Sequence, residues 1–363
     1  MATYHLLIHP SVNRVYGRVA PALAAAELRT VGAFLLPGGL LDIEEAALGP
    51  APALRLTAAA PLDERGLAVV GGLAGAYVLF EEIAAGPDAG GPDAGPGDLC
   101  LTPRAAPRAA HYPDDLLTTL KYAGKTNEQF TALLVNLALA AGRRGFDALA
   151  AGERVRLLDP VCGRGTTLNQ ALMLGLDAVG VETQGKDIEM YLGFIRQYLR
   201  DHLIKHRSDA VTLRAGPQRK RAARRVTVTV VRPGGDDGER WEQVLDLVED
   251  DTANVRDHCK GSSVDLVVGD LPYGVQHAAR PTAASGRDLV ALLRAALPGW
   301  RGALRGGGAL CLGFNTRVLD RETLDGLLRE NGFDIVEAVT DGRFVHRVDR
   351  TIDRDLALAV KPG

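Results

Sequence analysis

No run in this 363-residue chain approaches the eighteen or so consecutive apolar residues that a membrane-spanning helix requires. The amino-terminal stretch MATYHLLIHPSVNR lacks the charged and apolar zones of a signal peptide, so the expectation is a cytoplasmic protein with no membrane partner. Cysteine is scarce: Cys100, Cys162, Cys259 and Cys311 stand apart with no C-x-x-C pair. That spacing speaks against a disulfide framework and against a zinc site, and predicts reduced thiols and no bound metal. Lysine is missing from residues 1–110, which hold seven Arg against eleven Asp or Glu, a net of −4; the whole chain is −3, leaving +1 for the remainder. A dedicated nucleic-acid clamp is usually basic, and this front part is not one.

What is present describes an ordinary globular chain, 46% hydrophobic with a mean hydropathy of +0.00. Its length suits two domains, each able to bury a core of its own. Residues 4–9 read as a first strand, residues 19–31 as an Ala-rich helix with Leu23, Leu28 and Val31 inward, residues 55–57 as a short strand, and Leu67, Val70 and Leu73 as a helical stretch. Together they predict a small α/β domain with no assignable chemistry and a possible substrate-binding role. Gly-Pro-Asp-Ala-Gly then occurs in tandem at 86–90 and 91–95, a composition that buries no apolar surface. A linker over about 86–97 places the domains at 1–110 and 111–363.

The second domain opens with KYAGKTNEQF, where Asn127 is placed to cap a helix carrying Phe130, Leu133, Leu134, Leu137 and Leu139 and ending near Gly142. Val155, Leu157 and Leu158 then form a buried strand that runs into Asp159-Pro160-Val161-Cys162-Gly163-Arg164-Gly165-Thr166-Thr167-Leu168. Gly163 and Gly165 let the backbone turn where a β-carbon would obstruct a ligand, and Thr166 or Thr167 is placed to cap a helix beginning near Leu168. Strands follow at 178–181, 226–231, 244–248, 264–268, 309–314, 333–339 and 356–360, with an amphipathic helix over about 186–206 and another through Leu289, Leu292, Leu293 and Leu297. Such alternation predicts a mostly parallel, doubly wound sheet with one antiparallel strand near its edge. A basic insertion over about 208–240 carries Arg214, Arg219, Lys220, Arg221, Arg224 and Arg225 without interleaved aromatics; it reads as a solvated face or as a polyanion contact.

Acidic residues close three successive strands at the end where such sheets bind ligands: Asp159, Glu182 and Asp251. Glu182 lies about where a carboxylate bridges a ribose diol, and Asp251 with Thr252 is placed near an adenine amino group. The Walker lysine is absent, and Leu168 stands where a third glycine of G-x-G-x-x-G belongs, so a nucleoside without pyrophosphate is expected and S-adenosylmethionine is the candidate. Asp270-Leu271-Pro272-Tyr273 ends a fourth strand. There a carboxylate and the Leu271 carbonyl can accept hydrogens from an exocyclic amine, Pro272 stiffens the turn, and Tyr273 can stack on a flat acceptor. The bland alternative is an ordinary strand-to-loop turn with a packed Tyr. His346 and Arg347, between the last two strands, read as loop residues rather than catalytic ones.

DPVCGRGTTL followed by GDLPYG resembles the motifs of class I S-adenosylmethionine-dependent methyltransferases, particularly the tRNA guanine-N2-methyltransferase branch that often carries an amino-terminal THUMP domain. GKTNEQFTALLVNLA is similar to that branch's helix before the glycine turn. The resemblance spans about 112–363, and it implies a Rossmann-like, mostly parallel seven-stranded sheet. It implies that Lys125, Thr126, Asp159, Cys162, Gly163, Gly165, Thr166, Glu182, Asp251 and Thr252 line the cofactor site and that Asp270, Leu271, Pro272 and Tyr273 hold the target amine. The family's commoner catalytic form has Pro where Leu271 stands, and residues 1–110 are not matched to THUMP. The implied activity is N-methylation of guanine in tRNA or other structured RNA. A small metabolite or DNA as acceptor is the alternative, and a nucleoside-binding or RNA-chaperoning module without catalysis is a third reading. No motif speaks for an activator subunit or a homo-oligomer.

Overall fold

The computed structural model describes all residues except 12, 85–98, 123, 215–221, 233–240 and 274–282, and the side chains of 84, 99, 232 and 283–285. The Gly-Pro-Asp-Ala-Gly tandem, and Arg219, Lys220 and Arg221 of the basic cluster, lie outside the described residues. The chain divides into two compact units, Met1–Arg108 and Ala109–Gly363.

In the first unit, β1 (Ala2–Ile8) alternates strictly, with Tyr4, Leu6 and Ile8 buried. Asn13 caps α1 (Arg14–Leu35) by accepting from the amides of Val15 and Tyr16. The unit continues through β2 (Leu40–Leu48), β3 (Ala51–Ala58), α2 (Glu64–Gly71), β4 (Ala76–Ala84) and β5 (Leu99–Arg104). The sheet runs β2-β3-β1-β4-β5, every pairing antiparallel. Its first six elements follow a split β-α-β pattern, with β1 between β3 and β4. Three of these strands, β2, β4 and β5, are additional to the expected pair. In β2 only Ile43 is buried, because an acid-rich edge strand carries no alternation to read.

The second unit contains α3 (Asp115–Thr118), α4 (Glu128–Ala141), α5 (Phe146–Ala150), β6 (Arg156–Asp159), α6 (Thr166–Met173), β7 (Asp177–Glu182) and α7 (Gly185–Asp201). It then runs through β8 (His206–Leu213), β9 (Ala223–Arg232), β10 (Trp241–Glu249), β11 (Val264–Asp270), α8 (Ala283–Ala303), β12 (Leu304–Asn315), α9 (Arg321–Glu330), β13 (Asp334–Ile335), β14 (His346–Arg347) and β15 (Asp353–Val360). Asn127 caps α4 through the amides of Gln129 and Phe130, and Gly142 ends it. Described residues form a ten-stranded sheet ordered β13-β15-β12-β11-β6-β7-β10-β9-β8, with β14 paired to β15. Strands β12, β11, β6, β7 and β10 are parallel, whereas β15 and β9 run against them.

The sheet is therefore mixed and wider than the seven-stranded one expected. The stretch 208–240, anticipated as a basic insertion with a strand at 226–231, holds that strand within β9 and pairs it with an unexpected β8, a ribbon added beyond β10. Most of β8 is exposed on both faces, so its residues lack the apolar alternation that marks a strand, and the helix expected through 206 stops at Asp201. Of the strand expected at 333–339, only Asp334–Ile335 pairs, followed by a 3-10 turn at Glu337–Val339.

One large core fills the face covered by α8 and α9, where Leu158, Val179, Val181, Val248 and Val267 meet Leu293, Trp300 and Leu328. On the opposite face, Gly180 lets α6 approach: a β-carbon there lies 2.6 Å from the Leu168 side chain and 2.8 Å from the Cys162 sulfur. From β6 the chain moves outward through β7 to β10, then returns to the other side of β6 as β11. The carboxyl ends of β6 and β11 thus flank a topological switch point, the crevice where open α/β sheets bind ligands.

Candidate active site

The turn after β6 is built by glycine conformations that other residues rarely adopt. Gly163 has φ +49° and Gly165 φ +80°. A β-carbon on Gly165 would lie 2.5 Å from the Tyr191 ring, whereas one on Gly163 meets nothing within 4 Å, so the backbone at Gly163 faces open space. Helix α6 begins at Thr166 with Gly165 as its capping residue and no side-chain cap, which corrects the expected threonine cap. The Thr166 hydroxyl instead lies 3.1 Å from that of Tyr122. Arg164 sits over the Tyr122 ring at 4.8 Å and donates to Asp187 at 2.7 Å.

Three carboxylates gather around this turn. Asp159, at the end of β6, is buried and accepts from the Val161 amide at 3.1 Å. Burial raises its pKa to about 7; the Val161 amide and the Thr167 hydroxyl oppose the shift, and the nearby Asp270 and Glu182 charges add to it. Glu182 closes β7 and holds the turn, accepting from Gly163 N at 3.1 Å and from Gln184 N at 2.8 Å. Cys162 is buried beneath the turn, and burial pushes its thiol well above the usual range.

Asp270 closes β11. Its Oδ2 accepts from the Thr126 hydroxyl at 2.6 Å, and its Oδ1 accepts from the Tyr273 hydroxyl. Thr126 therefore reaches the carboxylate expected to hold the amine. Leu271 is buried, with its amide bonded to the Gly313 carbonyl at 2.8 Å, while Pro272 is exposed. Tyr273 does not present a free ring for stacking. It is held by Arg354, whose guanidinium lies 5.1 Å from the ring centroid and whose Nε donates to its hydroxyl at 2.6 Å.

Two expected cofactor residues are directed elsewhere. The Lys125 ammonium donates to the Leu117 carbonyl at 2.7 Å and pairs with Glu128, a local tether that sequence order alone does not reveal. Thr252 is buried, and its hydroxyl accepts from Trp300 Nε1 at 2.9 Å, because the first residue of this 3-10 turn faces the α8 core. Asp251 stays exposed and caps that turn through the Ala253 amide at 2.9 Å. Its neighbour Asp250 accepts from His258 at 2.7 Å and from Asn254 at 3.0 Å. Burial works to raise the Asp250 pKa, but these hydrogen bonds prevail and hold it below the usual carboxylate range.

Residues the motifs did not mark are Tyr122, Arg164, Asp187 and Arg354. Arg354 carries no local signal, standing 81 residues beyond Tyr273. His346 is buried rather than overhanging the site, and burial lowers its pKa to about 4. An open cavity lies elsewhere, between the start of α8 and the loop into α9, lined by Arg287, Val290, Arg294, Arg317 and Val318. It includes none of the three carboxylates.

Several solved structures are similar to this chain. TrmN from Thermus thermophilus aligns over 99% of this chain and 100% of its own at 14% identity and a TM-score of 0.43. An rRNA methylase from Streptococcus thermophilus covers 60% of this chain and 93% of its own at 12% identity and a TM-score of 0.32. A TehB-like S-adenosylmethionine-dependent methyltransferase from Corynebacterium glutamicum covers 59% and 85% at 14% identity and a TM-score of 0.33. Methyltransferases thus recur among the structural neighbours. No family model matches the chain, and no curated protein does. The Rossmann-like character of the second unit stands on its own strand order.

Proposed function

We propose that the chain is an S-adenosylmethionine-dependent N-methyltransferase that transfers a methyl group to an exocyclic amine, with guanine N2 of tRNA or another structured RNA as acceptor. The observation that carries this reading is the convergence of the Gly163–Gly165 turn with Asp159, Glu182 and Asp270 at the carboxyl ends of adjacent strands around the switch point. Glu182 and Asp270, with Arg164 turned onto Asp187, repel a pyrophosphate and suit a cationic sulfonium. The open backbone face at Gly163 leaves room for such a group.

In this reading Glu182 holds the ribose through Oε2, which keeps a lone pair beyond the one used for the Gly163 amide, whereas Oε1 already accepts from the Thr183 hydroxyl and the Gln184 amide. Asp251, at the end of β10, serves the adenine end, while Asp159, Cys162 and Thr166 shape the turn. When bound, S-adenosylmethionine supplies an electrophilic methyl whose C–S bond breaks as the new C–N bond forms. Asp270 and the Leu271 carbonyl accept hydrogens from the amine, which points its lone pair outward, and the proton lost from nitrogen passes to Asp270 or to water. Alignment contributes most of the rate, since the amine attacks without prior deprotonation.

One observation favours a small metabolite as acceptor instead. Arg224 and Arg225 of the basic stretch are engaged by Glu189 and Asp246 and present no free charge to a polyanion. The test is tritiated methyl transfer to unfractionated RNA, genomic DNA and a metabolite extract in parallel, alongside calorimetric binding of S-adenosylmethionine. Absence of cofactor binding would refute methyl transfer; labelling of the metabolite extract alone would replace RNA as acceptor. Asp270→Ala is expected to abolish transfer while leaving cofactor affinity within about a few-fold.

A further inference from the structure

Arg354 is the second residue of β15, in register with Asn315 of β12, and β12 separates it from Asp270 on β11. Gly313 of β12 is in register with Asp270, and a β-carbon there would come within 2.6 Å of Asp270 Oδ1 and 3.0 Å of the Phe130 ring. That bare position makes room for the Asp270 carboxylate and for the Phe130 ring, over which the Arg354 guanidinium lies. Arg354 is 4% exposed, with its guanidinium 4.5 Å from the Phe130 ring centroid and 5.1 Å from that of Tyr273. Its Nε donates to the Tyr273 hydroxyl at 2.6 Å, and its terminal nitrogen lies 3.6 Å from Asp270 Oδ2.

Burying an arginine costs much of its hydration, and apolar residues of similar volume often stabilise a core as well or better. Here the buried charge is spent at the strand end where the acceptor amine is expected. Tyr273 uses its hydroxyl twice, accepting from Arg354 and donating to Asp270. With Thr126 on Oδ2, each oxygen of Asp270 accepts from one hydroxyl and keeps a lone pair for the acceptor amine, so the two hydroxyls set the direction in which the carboxylate faces it.

We propose that Arg354 is a positioning residue of this site: it fixes the Tyr273 hydroxyl against Asp270 and so holds the carboxylate in the orientation that receives the acceptor amine. The inference rests on the methyl-transfer reading above and assigns a control over it to a residue outside the turn and the Asp270–Tyr273 segment.

Two measurements test this on the full chain. The first needs no acceptor: tetranitromethane nitration of tyrosines, read by peptide mass spectrometry. Tyr273 is expected to resist nitration in the native protein, because the Arg354 guanidinium lies 5.1 Å from its ring centroid and bonds its hydroxyl. It should become reactive in Arg354→Met, with S-adenosylmethionine affinity within about a few-fold of native. Unchanged protection in a folded Arg354→Met would overturn the proposal. Should that variant not fold, Arg354→Lys carries the test, since an ammonium cannot span two rings as the flat guanidinium does; raised nitration supports the positioning role and native protection refutes it. The second uses whichever pool accepts methyl from the native protein. Arg354→Met and Tyr273→Phe should each lower kcat by about ten-fold or more, with the double variant no worse than the poorer single one. Additive losses would show that Arg354 does not act through Tyr273. Failure of the native protein to bind S-adenosylmethionine would instead remove the methyltransferase reading and leave the nitration result standing.

Discussion

Asp159 is the group whose ionisation the fold alters in the most testable way. Unfolded, an aspartate ionises near 3.8; buried at the end of β6 it holds its proton to about 7. Between those values the folded chain binds more protons than the unfolded one, so the stability contributed by the protonated carboxyl is full at low pH and falls as pH rises towards 7. The slope cannot exceed about 1.4 kcal/mol per pH unit for one group. Asp159→Asn should flatten urea midpoints between about pH 4 and pH 7, the window set by this shift. A profile as steep as that of the native protein would show that Asp159 is ionised when folded. Glu182 gives the matching functional prediction. It bonds the Gly163 and Gln184 amides, and in the proposed complex it also bonds ribose, so Glu182→Ala should raise the S-adenosylmethionine Kd about ten-fold or more by calorimetry.

The turn between β6 and α6 behaves as a single piece because its conformation and its packing depend on the same atom being absent. Gly165→Ala places a β-carbon in the left-handed region and against the Tyr191 ring, whose hydroxyl is itself bonded to Asn169 at 2.8 Å and has little freedom to give way. A loss of about 2 kcal/mol or more is expected, measured as a lowered urea midpoint. In β9, Arg224 and Arg225 both pair with acids but differ in kind. Arg224 meets Glu189 at the surface, but Arg225 shares the buried Asp246 with Arg156, which donates at 2.8 Å, and with Thr227 at 2.6 Å. Arg225→Ala should therefore cost about 1–3 kcal/mol of stability, whereas Arg224→Ala should change it little. If polyanion contact were the purpose of Arg225, its loss would instead leave stability intact and reduce transfer to RNA.

Each unit has its own sheet and its own buried core, and the residues of the proposed site belong to the second. A chain of residues 109–363 alone is expected to fold and to bind S-adenosylmethionine within about a few-fold of the full protein, by calorimetry. The front unit is acidic by sequence and bears no carboxylate of this site. If it contributes to substrate capture, removing it should raise KM for the acceptor and leave the cofactor Kd unchanged. Among the described residues no helix is long and apolar enough to cross a membrane.

The sequence by itself determined the central strands and the chemistry at their ends. Runs such as Leu266–Val268, bounded by Gly269 and Asp270, are apolar because both faces of a parallel strand are covered, and the glycine turn is local because its conformation depends on the residue occupying it. Asn127 as the cap of α4 was legible for the same reason. Edge strands were not: β2 and β8 are exposed on most of their length, and pairing rather than burial defines them, so no pattern in their residues announces it. Only the tertiary structure decided where side chains point and what meets them. It turned Thr252 onto Trp300, tethered Lys125 to the Leu117 carbonyl, and brought Arg354 to Tyr273 and Asp270. Those contacts join residues far apart in the chain, and they follow from strand order, which no local run of residues encodes.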